Sequence, residues 1–186
     1  MDIARITEIL TDPVTLDLVE KQPIMQIAYA AADGSPRAVP LGYLLREGKF
    51  LFFTIPSSDK VAALHHDPRI ALTIDVYPPP CCLLVRGTAE LREEDGVPGE
   101  YLEASFRTMP EDQHAGFEEQ VRALYDSMVR IEVTPTWVRL NDFQRTAPRA
   151  VERLVRAADL LLERGDQLGA GEVDDVHHVG EGLHGE

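Results

Sequence analysis

The sequence predicts a mainly β domain with flanking helices, in which about six or seven antiparallel strands form a small closed or partly closed barrel. Two observations carry that prediction. Between residues 23 and 143, apolar residues come in short runs of strand length, bounded by glycine, proline and aspartate. The first three runs follow one another through two tight-turn signals, Asp33-Gly34 and Glu47-Gly48. That is the order of an antiparallel meander, not of a parallel sheet.

Each element can be justified in turn. Ile3, Ile6 and Leu10 recur at helical spacing, and Asp12-Pro13 reads as an N-cap and first-turn proline opening a second short helix through Val19. The period then changes. "PIMQIAYA" from Pro23, "PRAVPLGYLL" from Pro36 and "KFLFFTI" from Lys49 are the three meander strands. A helix follows "TIPSSD" and runs to about His66, and "RIALTIDV" and "CCLLVRGTAEL" are further strands on either side of Pro78–Pro80. Beyond Gly96 the texture is helical again, with Phe117, Val121, Leu124 and Met128 on one face. "VRIEVTP" and "TWVRLNDF" then read as two strands. Thr146 as N-cap, Pro148 in the first turn and Gly165 past the end mark a last helix with an apolar stripe from Val151 to Leu162. Residues 1–164 are thus expected to form a single domain. Residues 165–186 hold six acidic residues, six of the 13 glycines and no Lys or Arg, a composition that predicts disorder.

The formal net charge of -14 argues against nucleic-acid binding, which needs a basic footprint. No apolar stretch approaches the roughly 18 residues of a membrane span, and "MDIARITEIL" lacks a basic-then-apolar leader, so a cytoplasmic protein is expected. Cys81 and Cys82 are adjacent, and neighbours on a strand point to opposite faces, so they read as strand packing and not as a disulfide or a chelating pair. His65-His66 and His177-His178 lack the spacing and partners of a metal site, and no metal is expected.

One junction invites chemistry. "TIPSSDK" places Ser57 and Ser58 before a helix and Lys60 in its first turn, and the chain has only three lysines against fifteen arginines. Backbone N–H groups at a helix start, short hydroxyls and a first-turn cation are what a phosphate site needs. The same residues also suit a plain helix start, with serine as N-cap, Asp59 against the helix dipole and Lys60 in solvent. A second feature lies in the neighbouring strand. Pro40 cannot donate to a sheet ladder, so it belongs at an edge or bulge. There it exposes backbone groups that a flat heterocycle can use, or merely protects an edge.

The stretch from Ile24 to Leu91, with "DGSPRAVPLGYL", "GKFLFFTIPSSDKVAALHHDPRIALTID" and "LLVRGTAEL", resembles the pyridoxamine 5'-phosphate oxidase-like family of FMN-binding split barrels. With "VRIEVTPTWVRLNDF" as closing strands, the resemblance covers about two-thirds of the chain. It implies a split β-barrel, a homodimer with FMN at the subunit interface, and a flavin-dependent oxidoreductase that transfers a hydride to or from a small organic substrate. It further implies that Arg37, Ser58 and Lys60 hold the FMN phosphate. Val39, Pro40 and Leu41 would line the isoalloxazine, and Thr54 and Ile55 would meet its polar edge. Trp137, Arg139 or Asn141 would reach the flavin from the partner subunit, with Trp137 equally suited to a core or dimer role.

The departures from the family are as informative. Gly42 stands where the oxidase has a substrate-phosphate lysine, Cys82 where a glutamine contacts the flavin, and Asp59 where a basic residue is usual. Asn141-Asp142 replaces the C-terminal Arg-x-His substrate signature. Loss of these groups predicts that the chain keeps the fold and a cofactor but does not oxidise pyridoxamine phosphate. Relatives of this kind resemble flavin reductases, and some take the deazaflavin coenzyme F-420 instead of FMN. Asp59 and the acidic surface favour FMN, whereas the arginine- and alanine-rich composition keeps the deazaflavin as the alternative. A non-catalytic flavin-binding protein, or a barrel dimer without cofactor, are the other classes the sequence admits.

Overall fold

Two short helices open the chain, α1 (Ile3–Leu10) and α2 (Pro13–Lys21). The Asp2 carboxylate accepts the Ala4 N–H, and the Asp12 carboxylate accepts the Val14 N–H at 2.8 Å, with Pro13 beginning α2 as expected. The computed structural model describes residues 1–78 and 80–145. The helix expected after Thr146 and the acidic tail lie outside the described residues.

Seven antiparallel strands follow: β1 (Ile24–Ala30), β2 (Pro36–Gly42), β3 (Leu44–Arg46), β4 (Lys49–Thr54), β5 (Arg69–Val76), β6 (Cys81–Asp95) and β7 (Ser127–Asp142). Helix α3 (Asp59–His66) separates β4 from β5, and α4 (Gly99–Phe106) and α5 (His114–Leu124) separate β6 from β7. Both tight turns are present. Gly34 carries a φ of 79° in the β1–β2 hairpin, and Glu47 and Gly48 both have positive φ in the β3–β4 hairpin.

The meander, however, is not formed. The strands run in the order β2-β1-β5-β6-β7-β4-β3, so β2 lies at one edge of the sheet and β3 at the other. "PRAVPLGYLL" is therefore two strands, parted at the buried Tyr43. Gly42 pairs with Ile24 on one edge, and Leu44 pairs with Leu51 on the other. A single residue links the two edges, which is how an open sheet comes to have the form of a split barrel.

Two further expectations are corrected. The closing segments are one strand, β7, running through Pro135. The register with β6 shifts between Arg86 and Gly87: Arg86 faces Trp137 but Gly87 faces Pro135, leaving Thr136 as the extra residue of a bulge. A bulge absorbs the proline's missing N–H and lets the strand continue. Met128 belongs to β7 and not to the face of α5. That helix stops at Leu124, because Tyr125 takes an extended conformation at its C-cap.

Strand alternation builds the core. Met25, Ile27 and Tyr29 of β1 face inward with Ile70, Leu72 and Ile74 of β5, Leu83 and Val85 of β6, and Ile131, Val133 and Val138 of β7. Ile6, Leu10 and Leu18 from α1 and α2 close one end. A smaller cluster of Phe53, Val97, Leu102, Val121 and Met128 anchors α4 and α5. No described helix is long and apolar enough to cross a membrane.

Candidate functional site

The phosphate end proposed from sequence is assembled locally. Strand β4 ends at Thr54, a turn brings the Ser58 N–H onto the Ile55 carbonyl at 3.1 Å, and α3 begins at Asp59. Ser58 occupies the N-cap position, yet its hydroxyl caps nothing. It accepts instead from the Lys60 ammonium at 2.7 Å, while the buried Thr54 hydroxyl accepts from the same ammonium at 3.1 Å. Lys60 is half-buried and makes no ion pair among the described residues. Burial lowers its pKa, against the smaller opposing effect of Asp59. The Lys60 ammonium is therefore held by two neutral hydroxyls, with Asp59 near enough to act on it through space but not hydrogen-bonded to it.

Strand β2 is an edge, as Pro40 requires. Pro40 is exposed and faces Gln26 of β1. Val39 and Leu41, on the alternate side, are half-buried and pack against the core. Arg37 is exposed, and among the described residues its guanidinium reaches only the neighbouring Pro36 carbonyl, at 3.5 Å. No hydrogen bond joins Arg37 to Lys60. The β3–β4 pairing ends at Leu44 and Leu51, and beyond Tyr43 the chain leaves β4 to pair with β1. The two sets of residues singled out from sequence thus lie on strands joined through Tyr43, β2 on one side and the β3–β4 hairpin on the other. Ile55, just past the end of β4, is an exposed apolar side chain.

A third group lies on the outer face of the sheet. Cys82 pairs with Asn141 across β6 and β7, and the Asn141 amide donates to the Cys82 sulfur at 3.4 Å. Two steps along the same face, the Arg86 guanidinium lies 4.7 Å from the centre of the half-buried Trp137 ring. Leu84 and Arg139 pair between them. Among the described residues no hydrogen bond joins this row to Lys60. His65 and His66 are exposed on α3, and no cluster of metal-ligating side chains occurs among the described residues.

Sequence reasoning missed Arg107 and the setting of Gly42. A Cβ at Gly42 would stand 3.4 Å from the Ala104 carbonyl oxygen, so α4 packs directly over the position where the resemblance places the oxidase lysine. Arg107, at the end of α4, donates to the carbonyls of Tyr43, Val19 and Glu20. Their separation along the chain left no local signal.

An open antiparallel sheet whose edges meet at one residue, with a hydroxyl-held lysine at a strand-to-helix junction, defines a split-barrel protein. Residues 11–142 match the pyridoxamine 5'-phosphate oxidase family, and the chain belongs to it. It is 36% identical over 167 residues to a pyridoxine/pyridoxamine 5'-phosphate oxidase of Kineococcus radiotolerans, a match covering 89% of this chain and 61% of that one. The chain therefore spans less than two-thirds of that relative's length. Among solved structures, an F420 reductase superposes with a TM-score of 0.52 at 21% identity, over 66% of this chain and 94% of its own. The heme storage protein HutZ of Vibrio cholerae superposes with a TM-score of 0.52 at 11% identity, over 69% and 92%. At such identities these two likenesses concern the fold alone.

Proposed function

We propose that this protein is an FMN-dependent oxidoreductase, active as a homodimer, that moves a hydride to or from a small organic substrate. The observation that carries the reading is Lys60: half-buried, unpaired with any carboxylate among the described residues, and oriented by Thr54 and Ser58. A phosphomonoester suits this donor set, since an ammonium and two hydroxyls offer donors and Asp59 takes no part in their hydrogen bonds. Arg37 would add a second cation from β2. Pro40 would leave the edge of β2 free beside the ring, with Thr54 and Ile55 at the ring's polar margin. FMN, when bound, supplies the hydride chemistry, and the chain positions it.

The dimer rests on the outer sheet face. Ala28, Ala71, Thr73, Leu84, Cys82 and Trp137 share it, small or apolar side chains left exposed or half-buried. A second copy covering that face would bring its Trp137 and Asn141 to the first copy's flavin site. Pyridoxamine 5'-phosphate is not the expected substrate, because α4 stands over Gly42 and no lysine projects there.

Titration of the purified full-length chain with FMN, and separately with the deazaflavin F-420, tests the reading. Stoichiometric binding of FMN, one per chain, followed by NAD(P)H oxidation with a flavin-reducible acceptor, is the expected result. Binding of F-420 in preference to FMN would transfer the site to the deazaflavin, and binding of neither would refute it. No hydrogen peroxide is expected on addition of pyridoxamine 5'-phosphate to the FMN-loaded protein.

A further inference from the structure

The two halves of the proposed site extend from opposite ends of the sheet order, β2 at one edge and β4 next to the other. Arg37 to Leu41 ride on β2, which is held by β1, whereas Thr54 to Lys60 extend from β4, which is held by β7. The shortest covalent link between the two strand pairs is Tyr43, the one residue between β2 and β3. Its ring is buried, and its phenol is pushed up to about 12 by desolvation, so it stays neutral.

Arg107 fastens that point. Its guanidinium donates to the Tyr43 carbonyl at 2.9 Å and lies 5.4 Å from the centre of the Tyr43 ring. The other end of the fork donates to the carbonyls of Val19 at 2.5 Å and Glu20 at 3.3 Å, in the last turn of α2. Unpaired carbonyls at a helix C-terminus carry partial negative charge, which suits a cation. Arg107 is half-buried, and among the described residues it has no carboxylate partner. Among the described residues all its hydrogen bonds go to backbone oxygens, and the Val19 carbonyl also accepts from the Tyr43 hydroxyl at 3.5 Å. A planar fork with five donors reaches acceptors on two separate elements from fixed, spread positions, whereas lysine offers its three donors from a single nitrogen. On the same side, the α4 backbone at Ala104 stands against Gly42, the last residue of β2.

We infer that Arg107 is a positioning residue: by locking the backbone at Tyr43 to the ends of α2 and α4, it sets the distance between the β2 segment and the Thr54–Lys60 junction, and so the fit of the flavin. The inference rests on the functional reading above. Its signature is a change in the bound flavin beyond a change in stability.

The test compares full-length wild type with Arg107→Met, well below the unfolding temperature of the variant, by FMN titration and by visible circular dichroism of the saturated protein. The expected result is a loss of FMN affinity of roughly tenfold or more, as for the removal of a charged hydrogen-bonding group, with an altered flavin dichroism at saturation. Wild-type affinity and an unchanged spectrum, even with a lowered Tm, would overturn the inference and leave Arg107 a plain stabilising residue. Should Arg107→Met fail to fold, Arg107→Lys carries the same comparison, since it keeps the charge and loses the fork. Failure of the wild type to bind any flavin is a separate outcome: it overturns the functional reading, and this inference with it.

Discussion

Lys60 is one of three lysines in a chain with fifteen arginines, and its ammonium is held by two hydroxyls. A primary amine can lose its proton within an accessible pH range, whereas a guanidinium cannot. Burial brings that loss to lower pH than for an ordinary lysine, since it disfavours the charged form. The sign of the pH dependence follows. Below its pKa, Lys60 is cationic and attracts a phosphate. As pH rises through the lowered pKa, the attraction disappears. FMN affinity is therefore expected to fall on the alkaline side before an ordinary lysine titrates, and fluorescence titrations across pH should show this step in the wild type but not in Lys60→Ala. The Ser58–Lys60 pair was legible in the sequence because both partners lie within six residues of Thr54 and the junction is local. Arg107 was not, because its acceptors Tyr43 and Val19 lie 64 and 88 residues away.

Among the elements, β7 shows what local signals miss. Pro135 looks like the end of a strand, but the extra residue Thr136 takes up the irregularity, its hydroxyl donating to the Arg86 carbonyl at 3.2 Å. Gly87 makes the crossing possible. A Cβ there would lie 2.6 Å from Val133 Cγ1 and 2.7 Å from the Thr134 carbonyl oxygen, closer than atoms can pack. Gly87→Ala is therefore expected to destabilise the domain by about 1–3 kcal/mol, the usual cost of overpacking, read as a lower urea midpoint with little change in slope. The hairpin turns, the two N-terminal helices, the Asp12 cap and the edge position of Pro40 were all readable, since each depends on local spacing, φ preference, a side-chain acceptor or a missing N–H, whereas the Asp2 cap was not read. The C-terminal limit of α5 was not, because Met128 continues the helical period by coincidence while its side chain packs with Phe53 of β4.

On the scale of the molecule, the sequence implied strands but not their order. The turn residues of both hairpins are local, whereas the parting of β2 from β3 is decided by which strands they meet: β1, itself held by β5, and β4, itself held by β7. No residue pattern around Tyr43 announces that choice. The resemblance supplied the split barrel where periodicity supplied only a meander. The dimer belongs to this scale too. Light scattering is expected to give twice the 20.7 kDa chain mass, and Trp137→Glu, which sets a charge on the outer face, should shift the mass toward the monomer and weaken FMN binding together. A monomeric wild type that binds FMN would remove the interface from the account.

The central claim is that the Thr54–Lys60 junction grips a phosphate. Its most direct measurement is the ratio of affinities for FMN and for riboflavin, which lacks the phosphate, in the wild type and in Lys60→Ala. The account predicts that the wild type prefers FMN, and that the variant loses about 1.5–3 kcal/mol of that preference, the range for hydrogen bonds to a charged group, with riboflavin affinity unchanged. An equal FMN-to-riboflavin ratio in the two proteins would contradict it.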